Sequence, residues 1–165
     1  ILDDLDNDDR YADPDLRQQD NPGEIGCTAI DRLHAMVTER LSDRAAFARW
    51  FGEFSSASKY PEIDWRPEAP IREDEVRANV ADGTPLQRNS ASRFAFVRTD
   101  DGTIQLFVDG ASFECPGATA DFATTLCAQD HLTLVPRSDE APETIGLITQ
   151  LVNQGSLSFE PHAAE

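Results

Sequence analysis

The sequence predicts an α+β protein, a helical segment followed by a small antiparallel sheet framed by further helices. Three observations predict it. Apolar residues recur at helical spacing between 27 and 58, they gather around two Asp-Gly turns between 93 and 115, and helical spacing returns after 119.

The first helical stretch carries Ile30, Leu33, Val37 and Leu41 at i, i+3, i+7 and i+11, with Met36 beside them. Thr28 is placed to cap it. After a Ser42-Asp43 junction, Phe47, Trp50, Phe51 and Phe54 fall at i, i+3, i+4 and i+7, one stripe of a second helix with Asp43 at its N-terminus. The two stripes are expected to pair. Residues 60–70, YPEIDWRPEAP, hold three prolines that suit an extended connector, and Tyr60, Ile63 and Trp65 give that strap places to pack. A short helix over 73–81 follows, with acidic residues in its first turn and Gly83 just past its end.

Strands are predicted next. Residues 85–88 are a weak candidate, and 93–99 and 103–108 form a hairpin through Asp100-Asp101-Gly102. Asp109-Gly110 then turns the chain into 112–115, completing a three- or four-stranded meander. Helices are predicted over 119–129 and 143–154, separated by the apolar run 132–135. Gly155 ends the last helix, and 156–160 is expected to add an edge strand to the meander. This order is of the winged-helix general type.

Composition bounds the function. Against 14 basic residues the chain has 31 acidic ones, a formal net charge of -17, which disfavours both phosphate backbones and anionic membrane surfaces. The predicted last helix contains no Lys or Arg, whereas a DNA-recognition helix needs cations for phosphates. No apolar run reaches the roughly 20 residues of a membrane span, and the acidic start ILDDLDNDD is unlike a signal peptide, so a soluble cytoplasmic protein is expected. Beginning at Ile1 rather than Met suggests part of a longer protein.

Chemistry-bearing motifs are scarce. His34, His131 and His162 lie far apart in sequence, Cys27, Cys115 and Cys127 lack CxxC spacing, and no GxSxG, GxxxxGK[ST] or GxGxxG occurs. No catalytic, cofactor-binding or metal position follows. Glu53, on the edge of the aromatic stripe, suits a salt bridge, a solvated rim or an interfacial contact.

The segment RLHAMVTERLSDRAAFARWFGEFSSAS, the proline strap and the ending LITQLVNQGSLSFEP together resemble the C-terminal half of the bacterial JmjC-type ribosomal oxygenases, the YcfD/RoxA-like arginine hydroxylases. The most specific pieces are Trp50-Phe51-Gly52-Glu53-Phe54 and Leu151-Val152-Asn153 followed by Gly155. The resemblance implies a parent with a JmjC (cupin) catalytic domain holding Fe(II) and 2-oxoglutarate, a helical dimerisation region and a winged-helix domain. It implies hydroxylation of an arginine on a large-subunit ribosomal protein. The iron ligands of that family have no counterpart here, so this chain is expected to be the non-catalytic part.

The resulting organisation is an acidic extended arm over 1–26, a helical dimerisation region with its Pro-rich strap over 27–70, and a winged-helix-like domain over 71–165. Ile30, Leu33, Val37, Phe47, Trp50, Phe51 and Phe54 are the expected dimer interface, since Trp and Phe serve as anchors and a symmetric contact uses one patch twice. The same residues could instead be consumed inside one subunit. Expected partners are a second copy, the parent's own catalytic domain and a basic ribosomal protein, with neither DNA nor membrane. The alternative is a free-standing acidic winged-helix adaptor for protein interaction, with no enzyme domain. An autonomous enzyme using surface carboxylates is less favoured.

Overall fold

A computed structural model describes residues 23–134 and 142–160. The expected acidic arm over 1–26 lies mostly outside those residues, and His162 wholly so. The chain divides into two units, Ile1–Trp50 and Phe51–Glu165, and the division falls inside the second helix.

In the first unit α1 spans Cys27–Ser42, a run rich in helix-forming Ala, Leu, Met, Arg and Glu. Thr28 does not cap it. Gly26 does so through its backbone alone, its carbonyl accepting the N–H groups of Ala29 and Ile30, which leaves Thr28 within the first turn. At the other end Asp43, with ψ of 94°, breaks the helix. Its Oδ1 then accepts the N–H groups of Ala45 and Ala46 at 2.9 and 3.0 Å, which starts α2, Arg44–Ser56, as the sequence predicts.

The second unit contains α3 (Glu73–Ala81), β1 (Leu86–Arg88), β2 (Phe94–Arg98), β3 (Ile104–Val108), β4 (Ala111–Cys115), α4 (Ala118–Ala128), β5 (His131–Leu132), α5 (Pro142–Asn153) and β6 (Leu157–Phe159). Helix α3 matches its predicted bounds. The backbone N–H of its N-cap residue, Arg72, is satisfied by Glu75 Oε2 at 2.9 Å, and Gly83 takes the left-handed φ of 69° past its end.

The meander is β2-β3-β4, antiparallel throughout. Its first turn is braced by Asp101, whose Oδ1 accepts the Thr99 hydroxyl at 2.6 Å and the Thr103 N–H at 3.0 Å, so its carboxyl is held below the usual range. The second is a two-residue connection in which Asp109 and Gly110 both have positive φ, 52° and 87°, the geometry that matches strand twist.

The expectation that the closing strand joins this meander is not met. β6 pairs with β1, and β1 with β5, in a separate sheet of order β5-β1-β6. The cause lies at Asn89. Its backbone N–H bonds to the Ser156 carbonyl and its side-chain Nδ2 to the Gly155 carbonyl, both at 2.9 Å, so the chain leaving α5 is registered on β1. Weakly patterned β1 is therefore a central strand.

The core sits among α3, α4, α5 and one face of each sheet. Ile148 and Leu151 of α5, Leu126 of α4, Val76 of α3 and Leu106 of β3 are fully buried there. Cys115 is also buried, and the loss of water around its thiol raises its pKa to about 11. Among the described residues no helix is long and apolar enough to cross a membrane.

Candidate functional site

The seven expected interface residues lie on α1 and α2. Ile30, Leu33 and Val37 are 54%, 52% and 49% exposed, and Leu41 and Met36 on the same helix are exposed too. Phe47 and Trp50 stack at a tilt, ring centroids 5.6 Å apart, with Trp50 half-buried. Phe51 and Phe54 have much of their rings accessible to solvent, Phe54 being 67% exposed.

The face of α2 opposite Phe54 carries Gly52 and Ser56, both buried. Gly52 is required there, because a Cβ would overlap the ring of Phe107 on β3. Ser56 Oγ accepts the Gly110 N–H at 3.2 Å, and Glu53 Oε1 accepts the Ser112 hydroxyl at 2.7 Å. Glu53 is partly exposed and, among the described residues, hydrogen-bonded rather than ion-paired. It ties the end of α2 to the meander's outer face, so the Gly52-Glu53 pair within the Trp-Phe-Gly-Glu-Phe motif is a docking device.

The second motif, Asn153 followed by Gly155, works on the strap. Asn153 Oδ1 accepts the Ile71 N–H at 2.8 Å and its Nδ2 donates to the Ile71 carbonyl at 3.0 Å, the two-way pairing one strand gives another. Gly155 has φ of 84°, and a Cβ there would meet the Trp65 carbonyl. Both ends of residues 65–71 are thus fixed to the end of α5. Within the strap Arg66 grips Asp64 through two side-chain bonds, which lowers the Asp64 pKa to about 2.

A groove of about 950 Å³ lies along this strap, lined also by α3, β1 and β6. Among the described residues Arg88 is its one cation, stacked 4.4 Å over the Phe94 ring, with Nη1 donating to the Leu126 and Cys127 carbonyls at 3.3 Å. Sequence reasoning missed this groove and the role of Asp109. Asp109 is more than a turn residue, since Oδ1 accepts the Arg93 N–H at 2.9 Å and Oδ2 the Ser156 hydroxyl at 2.8 Å, linking the two sheets. The only advance sign was an Asp where Asn would serve the turn equally well.

Among the described residues no group of three or more His, Cys, Asp and Glu side chains could hold a metal ion. Those residues therefore do not fit an iron site. His131 is engaged with Glu160, Nδ1 to Oε1 at 2.6 Å.

Helices framing two small antiparallel sheets, with the last strand returning beside the first, define a winged-helix protein of the α+β class. More narrowly, residues 39–158 match the family described as ROXA-like winged helix, and the chain belongs to that family. It is 29% identical over 153 residues to the ribosomal protein uL16 3-hydroxylase of Escherichia coli K12, covering 91% of this chain and 39% of that protein. The structure of the E. coli ribosomal oxygenase YcfD with cobalt and 2-oxoglutarate superposes with a TM-score of 0.69 at 27% identity, over 92% of this chain and 41% of that one. A second crystal structure of the E. coli ribosomal oxygenase YcfD gives a TM-score of 0.68 at 27% identity, over 92% and 40% of the respective chains. The chain thus spans about two fifths of the length of these relatives.

Proposed function

We propose that this chain is the non-catalytic dimerisation and scaffold module of an Fe(II)/2-oxoglutarate-dependent oxygenase, whose parent hydroxylates an arginine of a large-subunit ribosomal protein. The observation that carries the dimerisation role is the line of exposed Ile30, Leu33, Val37 and Leu41 along α1. A repeated apolar line at helical spacing left in water is costly unless a partner covers it, and a second copy presents the same line to match. Phe47, Trp50, Phe51 and Phe54 extend the interface onto α2. The similarity to ribosomal oxygenases supports the parent's activity.

In this reading residues 1–26 are an acidic arm, 27–70 the dimerisation region and strap, and 71–165 the winged-helix domain. Its partners are a second copy, the parent's JmjC catalytic domain and a basic ribosomal protein drawn to the acidic surface, in the cytoplasm and without DNA or membrane. Iron and 2-oxoglutarate belong to the catalytic domain.

Light scattering tests the interface. The chain should run at twice its 18.2 kDa mass, and Leu33→Asp with Val37→Asp should reduce it to one chain with the circular dichroism of the folded protein retained. A wild-type chain that stays monomeric at high concentration removes the dimerisation role.

A further inference from the structure

The sheet β5-β1-β6 ends on β6, and its bonding pattern fixes where each backbone group of that strand points. Asn89 donates to the Ser156 carbonyl and Glu160 to the Pro85 carbonyl, while Ser158 stands opposite Gln87. Antiparallel pairs alternate, so Ser156, Ser158 and Glu160 face β1, whereas Leu157 and Phe159 turn their N–H and C=O groups outward. Among the described residues nothing pairs with those four groups.

Leu157 and Phe159 also line the groove, with Trp65, Pro67 and Pro70 of the strap and Glu75 of α3. Pro67 and Pro70 have no N–H to donate, which limits the strap's ability to pair with the edge it lies near. Arg88, the lining's one cation, is committed to the Leu126 and Cys127 carbonyls. The other charge in the lining is the Glu75 carboxylate, half-exposed, which accepts the Arg72 N–H through Oε2 and has Oε1 3.8 Å from the Arg72 guanidinium, and Trp65 is 46% exposed. A carboxylate and an indole face suit a guanidinium or ammonium group, and the chain's net charge of -17 draws the same sign.

We propose that this groove takes an extended, basic peptide segment that adds to β6 as a further antiparallel or parallel strand. Backbone bonds to Leu157 and Phe159 supply the pairing, and Glu75 and Trp65 select Arg or Lys. Assigning the segment to the substrate rests on the reading that the parent acts on a basic ribosomal protein.

The test is amide hydrogen exchange of the full 165-residue chain by NMR. The probe is a peptide of about eight residues, a common strand length, alternating Arg and Val. The Leu157 and Phe159 amides should gain protection on binding. A Glu-Val peptide should fail to bind, and a peptide with prolines replacing the pairing residues should bind roughly 10-fold more weakly or worse. Glu75→Gln, which keeps an acceptor for the Arg72 N–H, should weaken binding about 2- to 5-fold. Binding without protection of Leu157 and Phe159, or equal binding of Glu-Val and Arg-Val peptides, overturns the proposal, as does no binding at all.

The same titration with ribosomal protein uL16 separates the two readings. Protection by the peptide and not by uL16 keeps the groove and removes the ribosomal partner. Binding of uL16 that leaves both amides exposed removes the groove and keeps the partner.

Discussion

Helices α1 and α5 carry the same pattern with opposite outcomes. Ile30, Leu33 and Val37 repeat at helical spacing and are exposed, whereas Ile145, Ile148, Leu151 and Val152 repeat at that spacing and are buried. The difference lies in what each helix has to face. α5 packs on α3, α4 and β6, elements that supply Val76, Leu126 and Leu157. Periodicity therefore marks a face, and only the neighbours decide whether that face becomes core.

Equal truncations on the two helices test this contrast most strongly. Ile148→Ala should cost about 2–5 kcal/mol in urea unfolding, since it leaves a cavity in a closed core. Leu33→Ala, measured at protein concentrations low enough to exclude association, should change stability by less than about 0.5 kcal/mol. Equal losses at both sites break the comparison, because α1 would then be buried within a single chain.

The next effect sharpens what holds the second unit together. Gly155→Ala combines a left-handed φ of 84° with a Cβ directed at the Trp65 carbonyl, so it should destabilise the protein by about 1–3 kcal/mol. It should also raise hydrogen exchange at the Ile71 amide, which Asn153 otherwise holds. An unchanged unfolding midpoint would mean that the strap is not fixed by the end of α5.

The smallest effect compares two thiols. Cys27 on α1 is exposed, whereas Cys115 on β4 is buried with its pKa raised to about 11. Cys27 should react with an alkylating reagent first, and Cys115 only at the rate of unfolding. Because the unfolded Cys115 thiol ionises near 9 and the folded one near 11, its share of stability is full below 9 and is lost as pH rises through 11. Prompt alkylation of Cys115 at neutral pH would place it at the surface.

Local signals made most elements legible in the sequence. Helix α3 was readable from three carboxylates at its start and Gly83 at its end, and the hairpins from Asp101-Gly102 and Asp109-Gly110. The fate of β6 was not, because its partner is set by Asn89, a residue in an unpatterned stretch 66 positions from the Gly155 carbonyl it binds. Thr28 misled for a related reason. A capping hydroxyl is favourable but not obligatory, and the Gly26 carbonyl was sufficient. As for the candidate sites, the α1 stripe was visible as spacing, whereas the groove exists only once strap, α3 and β6 converge. No window of sequence contains them together.

The bond between Ile71 and Asn153 joins residues 82 positions apart, and chains are made from the N-terminus. At a translation rate of about 5–20 residues per second, roughly 4–16 s separate the synthesis of the two partners. For most of that interval α3 has already been made, but the α5 surface that packs on it does not yet exist. The nascent domain must therefore wait, with its first helix open to chaperones and to neighbouring nascent chains, until its last helix has cleared the exit tunnel.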